Sequence, residues 1–165
     1  MDPIEIENAG LVLAAPFLPY FFRNQGYLKG MRFTDEVSHA RAIYLLQYMA
    51  NEEYNAKGNL RLNALLCGWP DRQALPPAPM LNVAEKQQAD QVLEAICSHW
   101  TALGDMGTET LRHRYLKRRG TLETGLESVL RVEPQPQDKL LRELPWVYAI
   151  TQTPWSEKIA VHWDG

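Results

Sequence analysis

The pattern of apolar and polar positions is clearest after Asn82, where it predicts a helix. Asn82 and Glu85 have the spacing of a capping box, in which two side chains satisfy free backbone N–H groups at a helix start. Further along, apolar residues recur every three or four positions, as on one face of a helix. These residues are Ala89, Val92, Leu93, Ile96 and Trp100.

Two earlier segments also have helical patterns. From Val37 to Met49 the apolar residues cover nearly every face, which is typical of a central helix, and Thr34 can cap its start. A shorter helix is predicted between a cap at Asn59 and a left-handed stop at Gly68.

The first apolar segment, from Leu11 to Phe22, predicts a broken element. Pro16 and Pro19 each remove a backbone donor and restrict the residue before them, so one long helix is excluded. We expect a short element, a bend set by proline, and a helical turn that stops near Gly26.

Two segments in the middle of the chain are predicted to differ in structure, one extended and one helical. Four prolines between residues 70 and 79 predict a stiff connector of extended character. A helix is then predicted to start at Thr108 or Glu109 and to end before Gly120.

In the last quarter of the chain the spacing changes from helical to alternating. Residues 126–133 and 158–163 alternate between two faces, which predicts strands. Pro136 can start a short helix between them, and residues 146–151 are rich in β-formers.

Helices first and strands last predict an α+β fold. We expect a mainly helical N-terminal two-thirds packed with a small antiparallel β-sheet plus a short helix at the C-terminus. The chain is expected to be one domain over residues 1–165, with the helical part at about 8–120 and the β-containing tail at about 121–164.

Composition narrows the class of protein. The 165 residues carry a formal net charge of −3, and neither half of the chain is basic, which argues against a general nucleic-acid binder. No apolar run approaches the roughly 20 residues needed to cross a bilayer, and the N-terminus does not resemble a signal peptide. Cys67 and Cys97 lie in apolar helical patterns and predict no disulfide. We therefore expect a cytoplasmic protein in a reducing compartment.

A search for catalytic motifs predicts a protein that is not an enzyme. The sequence has no Gly-rich phosphate loop, H-E-x-x-H, G-x-S-x-G or C-x-x-C motif. Cys97 and His99 are close in sequence, but two residues along a helix their side chains diverge. We predict no catalytic residue, no cofactor and no metal site.

Two groups of residues are candidates for contact with other molecules. The segment from Arg112 to Arg119 is basic, so the alternative function is a nucleic-acid-binding regulator that uses a basic helix at 111–119. Three of the five tryptophans lie in the tail, and tryptophan is enriched at the energetically important positions of protein interfaces. The candidate protein interface consists of Trp146, Trp155, Trp163, Arg114 and Arg118.

Short motifs over nearly the whole chain resemble, in order, the C-terminal domain of the contractile injection system tape measure protein family. The motifs are NAGLVL at 8–13, PFLP at 16–19, AIYLLQY at 42–48, LNALLCG at 62–68, LEAI at 93–96 with HW at 99–100, LR at 111–112 with YL at 115–116, GTL at 120–122, LRVE at 130–133, LPW at 144–146, PW at 154–155 and VHW at 161–163. Each motif is weak alone, and their ordered combination is specific.

The resemblance implies a structural role in assembly, because family members act as rulers in the inner tube of phage-tail-like particles. The implied partners are inner tube, hub or baseplate proteins, without a small-molecule substrate. The implied location is cytoplasmic during assembly and then within a released particle. Even a wholly helical chain of 165 residues would reach only roughly 250 Å, and the prolines and strands exclude that length. The predicted role is therefore a terminal anchor for a ruler.

Overall fold

A computed structural model describes residues 3–52, 59–70 and 73–163, so parts of the predicted 1–165 domain lie outside the described residues. Its first apolar segment is broken at the prolines, as predicted. A 3₁₀ helix at Ala9–Phe17 is followed by helix α1 at Leu18–Asn24, and Gly26 adopts the left-handed conformation just beyond it. Because the 3₁₀ helix is buried from Ala9 to Ala15, it lies inside the protein.

The longer helices begin where side chains cap them. Helix α2 at Glu36–Ala50 is capped by Asp35, which accepts a hydrogen bond from Ser38 N at 2.7 Å, so the cap is one residue later than predicted. Helix α4 at Val83–His99 has the predicted capping box between Asn82 and Glu85. Both helices therefore have local sequence signals at their start.

Two short helices accompany them. Helix α3 covers Arg61–Leu66 and ends before Gly68, which is left-handed as predicted. Helix α5 covers Gly107–Leu111 and continues directly into a π-helical segment at Arg112–Leu116, named here the π-turn. A single 3₁₀ turn at Thr101–Leu103 separates α4 from α5.

A five-stranded sheet has the order β1-β4-β5-β7-β6. Three of its pairings are antiparallel, but β5 pairs in parallel with β7, with Leu130 opposite Val161. The prediction of an antiparallel sheet is therefore wrong at this pair. The segment between the two strands contains a helix and brings the chain back to the end of the sheet where β5 began, so β7 runs in the same direction as β5. The strands are β1 at Ile4–Ile6, β4 at Gly120–Glu123, β5 at Ser128–Val132, β6 at Ile150–Thr151 and β7 at Ile159–His162.

The layout also differs from the prediction in the first part of the chain. Strand β1 comes from the N-terminal segment and joins the sheet of the tail. A small hairpin of β2 at Leu28–Lys29 and β3 at Arg32–Phe33 lies between α1 and α2. The division into a helical part and a β-containing tail is therefore less sharp than expected, although the α+β class holds.

The tail combines strands with a 3₁₀ helix at Pro136–Glu143, named here the tail helix. The β-rich stretch at 146–151 forms a strand only at its last two residues. In β5 the alternation is as predicted, with Leu130 and Val132 buried, whereas Leu126 lies before the strand and is fully exposed.

The buried apolar side chains form one cluster that includes both helical and sheet residues. Trp100, at the end of α4, contacts Tyr115 of the π-turn edge to face, with ring centroids 4.8 Å apart. Leu130 and Ile159 contribute from the sheet. The sheet and the helices therefore stabilise each other through shared burial.

Candidate functional site

Trp146 holds the tail against the first 3₁₀ helix. Its indole Nε1 donates a hydrogen bond to the Leu13 carbonyl oxygen at 2.9 Å, and its ring packs edge to face on Phe17 at 5.2 Å. The side chain is half-buried. Trp146 therefore holds the tail on the first 3₁₀ helix. Only part of its side-chain surface is accessible to a partner.

Trp155 holds a second part of the tail, against α1 and the hairpin. Its ring lies 5.6 Å from Phe22 and 5.2 Å from Phe33, and a side chain at Gly68 would come within 2.5 Å of its carbonyl oxygen. Its indole Nε1 is buried and has no hydrogen-bond partner among the described residues. Burial of an unpaired donor is unfavourable, so packing holds this ring in place.

Two exposed apolar residues of the tail lie just after Trp146. Val147 is 78% exposed and Ile150 is 62% exposed. Ile150 lies in β6, an edge strand, opposite Ala160 of β7. We name Trp146, Val147 and Ile150 the tail surface, because two exposed apolar residues follow the half-buried Trp146 of the predicted interface within four positions.

Arg118 and Trp163, two residues of the predicted interface, are each only 4% exposed. Arg118 forms a bidentate ion pair with Asp138, at 2.6 and 2.8 Å, and its guanidinium stacks over the Trp163 ring at 5.3 Å. Trp163 in turn donates its indole N–H to Asp138 at 2.9 Å. In this conformation neither side chain is available to a partner, and both fix the tail helix to the π-turn.

The environment of Asp138 explains why it stays charged. Burial raises the pKa of this carboxyl, but hydrogen bonds from Arg118, from the Gln135 backbone and from Trp163 outweigh burial, and the pKa is lowered. Asp138 is therefore the buried counter-ion of Arg118, an arginine that the sequence placed in the candidate interface.

Arg112, at the other end of the basic segment, is also internal. Its guanidinium donates to the Met49 carbonyl oxygen at 3.0 Å and forms salt bridges to Glu52 at 2.7 Å and Glu109 at 2.9 Å. Its side chain is buried, whereas both carboxylates are largely exposed. Arg112 therefore joins α2 to the π-turn.

Arg114 differs from these two arginines because its side chain is exposed. Its backbone carbonyl accepts hydrogen bonds from Arg118 at 3.2 Å and from Gln137 at 3.4 Å. Sequence reasoning did not separate the inward from the outward arginines. The spacing could have identified Arg118 as an inward residue. Leu111, Tyr115 and Arg118 are separated by four and then three positions, which puts the arginine on the same helix face as two apolar residues.

A cavity of about 580 Å³ lies between α3 and the loops at one end of the sheet. Its walls include the aromatic side chains of Trp69 and Trp155. Of the described residues that line it, only Arg61 and Glu157 have side chains that carry a charge at neutral pH. The described part of its lining therefore shows no mutually placed acid, base and nucleophile of a hydrolytic site.

The thiols and imidazoles are dispersed. Burial raises the pKa of Cys67, which makes this thiol a weak nucleophile. His39 stacks on Phe33 with centroids 4.1 Å apart and contacts the Cys67 carbonyl oxygen at 2.6 Å. Within the described ranges no group of three or more His, Cys, Asp or Glu side chains could hold a metal ion.

Comparison with protein-family profiles matches residues 1–163 to the contractile injection system tape measure protein family. The match covers nearly the whole chain, so the protein belongs to this family, and the resemblance of its motifs is confirmed. Membership supports a structural role. Searches of curated proteins and of solved structures found no match. Within the described residues, no helix combines the length and the apolar character that a bilayer crossing requires.

Proposed function

We propose that this chain is a non-catalytic assembly domain that anchors the tube-length ruler of a phage-tail-like contractile particle. Its partner would be a component of the tube end, the hub or the baseplate. The family supports the structural part of this proposal. The anchoring part comes from the shape of the described chain.

The observation that carries the proposal is the shortness of the helices. The longest described helix, α4, has 17 residues, which at 1.5 Å per residue is about 25 Å. A ruler needs an extended element, whereas this chain buries its apolar residues in a folded core. The contribution of this chain to the ruler would then be contact with another component.

The tail surface is our proposed contact for that anchor. Val147 and Ile150 are apolar and exposed, and Trp146 is half-buried beside them. Apolar and aromatic residues of this kind are enriched at the cores of protein interfaces. Trp155 stays a separate candidate for contact with a partner, because its ring is also half-buried.

The alternative function, a nucleic-acid-binding regulator, is less well supported. Arg112 and Arg118 are buried and paired with carboxylates, so two cations of the basic helix are used internally. Phosphate binding needs several exposed cations, since each contact releases counter-ions and contributes to affinity.

The proposal is tested by placing charge on the tail surface. We expect the double variant Val147→Asp with Ile150→Asp to fold normally and to reduce the number of assembled particles at least tenfold, as counted by electron microscopy. A matched control is Val37→Asp with Val83→Asp, because these residues are similarly exposed, at 68% and 71%, and lie in the helices.

Two results would contradict the proposal in different ways. Normal particles of normal tube length from a strain that lacks this chain would remove the structural function. Normal particles from the tail-surface variant, with assembly lost only when the chain is deleted, would remove the tail surface as the anchor.

A further inference from the structure

The π-turn is the one π-helical segment among the described residues, and it carries Arg112, His113 and Arg114. π-helical turns are rare and frequently lie at functional sites, because the inserted residue redirects side chains. Here the segment turns Arg112, Tyr115 and Leu116 inward, whereas Arg114 is exposed. Lys117, the residue after the turn, is exposed as well.

The tail helix contacts this segment and carries another exposed cation. Tyr115 donates its hydroxyl to the Gln137 carbonyl oxygen at 2.9 Å, and Gln137 donates to the Arg114 carbonyl oxygen. Lys139, two residues further on, is exposed. We name Arg114, Lys117 and Lys139 the basic ridge. Within the described part of the chain none of the three side chains has a salt bridge.

The backbone under the basic ridge is held rigidly. A Cβ on Gly10 would lie 1.6 Å from the Tyr115 carbonyl oxygen, so the first 3₁₀ helix packs directly on the π-turn. The Ala9 amide donates to the Arg118 carbonyl oxygen at 2.9 Å, and Arg118 holds Asp138. A rigid backbone lowers the entropy cost of binding, because only the side chains remain to be ordered.

From this arrangement we infer that the basic ridge binds an acidic segment of a protein partner. The inward cations are neutralised internally, by Asp138 at one end and by Glu52 and Glu109 at the other, which leaves the outward cations uncompensated. Charge complementarity favours a partner with several carboxylates, and clusters of arginine and lysine recognise such segments. The inference rests on the proposed function, because it seeks this partner among the particle components.

Carboxylates at both ends of the ridge favour a protein segment over nucleic acid. Glu109 lies beside His113 at 3.2 Å, and Glu7 lies 4.0 Å from Arg119 at the far end. A continuous phosphate backbone would meet these negative charges, since it extends beyond the three cations. A protein segment, in contrast, can carry acidic residues only where it contacts the basic ridge.

Site-specific photo-cross-linking in assembled particles tests the inference directly. A benzophenone amino acid is placed at Lys117, and a control carries it at Lys29 of the hairpin, which is also exposed. We expect the Lys117 probe alone to cross-link to a particle protein, at a peptide with several Asp or Glu residues close to the cross-linked position. A cross-link to nucleic acid, to a peptide without such residues, or to nothing would overturn the inference.

Charge reversal provides a second measurement. The triple variant of the basic ridge replaces Arg114, Lys117 and Lys139 by Glu. The control variant makes the same replacement at three exposed cations around the hairpin, namely Arg23, Lys29 and Arg32. Both variants change the net charge equally, and circular dichroism checks that both fold.

Binding is measured with a labelled twelve-residue peptide of alternating Glu and Ala, and with a single-stranded DNA of twelve nucleotides. We expect the ridge variant to bind the peptide at least tenfold more weakly than the control variant does. Equal peptide binding by both variants, or a ridge-dependent preference for DNA, would contradict the inference. If the ridge variant assembles normally while deletion of the chain abolishes particles, only this inference fails and the proposed function remains.

Discussion

Arg118 and Asp138 form a bidentate ion pair that is buried between the π-turn and the tail helix. Asp138 also accepts hydrogen bonds from the Gln135 amide and from the Trp163 indole. One carboxylate therefore caps the tail helix, neutralises a buried cation and satisfies a buried tryptophan.

Replacement of Asp138 by Asn should destabilise the protein strongly. The neutral amide leaves the Arg118 guanidinium buried without a counter-ion, which typically lowers the free energy of unfolding by about 3 kcal/mol or more. Urea unfolding measures the loss. Asp105→Asn, at an exposed position, is the control and should leave the midpoint unchanged. A double replacement, Arg118→Met with Asp138→Leu, should be less harmful than Asp138→Asn, and the opposite order would contradict this account.

Gly10 should tolerate no side chain. Replacement by Ala would put a Cβ 1.6 Å from the Tyr115 carbonyl oxygen, so the 3₁₀ helix and the π-turn would have to separate. We expect a loss of about 3 kcal/mol or failure to fold, at the upper end of overpacking effects. Thermal unfolding compares this variant with Gly125→Ala, where no atom lies within 4 Å of the new Cβ. Similar melting temperatures for the two variants would show that the contact is not tight.

The two tail tryptophans should respond differently to the same change. Trp146→Phe removes the hydrogen bond to the Leu13 carbonyl oxygen and leaves that acceptor unpaired, whereas Trp155→Phe removes a buried donor that has no partner among the described residues. Both variants lose the same volume. We therefore expect Trp146→Phe to be less stable than Trp155→Phe by about 1 to 2 kcal/mol in chemical unfolding. An equal or reversed order would contradict the assigned hydrogen bonding.

His39 should make stability depend on pH. Burial lowers the pKa of His39, more than its contact with the Cys67 carbonyl raises it, so the folded protein binds a proton less readily than the unfolded chain. Below the ordinary histidine pKa of about 6.5, the unfolded chain therefore binds more protons than the folded protein does. The free energy of unfolding then falls as the pH decreases from 7 towards 5.

The variant His39→Gln should lose this slope, whatever its absolute stability. Melting temperatures across the pH range measure it, and His162→Gln, at an exposed residue, is the control that should retain the slope. A slope that is unchanged in His39→Gln would assign the pH dependence to other groups.

Features with local causes were predictable from sequence. The capping box at Asn82 and Glu85 and the left-handed Gly68 depend on neighbours within a few residues, and both were found. The alternation at Ile159 and Val161 likewise identified buried positions of β7. In each case the backbone requirement and the residue that meets it are close together in the chain.

Features that depend on distant partners were not predictable. Strand β1 has three residues and exists because it pairs with β4, more than a hundred positions away. Arg118 looked like a surface cation, since its counter-ion Asp138 is twenty residues later and supplied by a separate helix. The parallel pairing of β5 with β7 is likewise set by the path of the tail. Composition and periodicity report burial, but they do not identify which segments meet.

The sheet order has a mechanical consequence. Strand β7 lies between β5 and β6, so a pull on the last described residues must break backbone hydrogen bonds on both sides of this strand. Strand β1 is at an edge and is held by β4 alone. Under tension we therefore expect the N-terminal strand to detach at lower force than the C-terminal one, and single-molecule stretching from either end would detect the difference. The sheet therefore resists a pull on its C-terminal strand more firmly than a pull on its N-terminal strand.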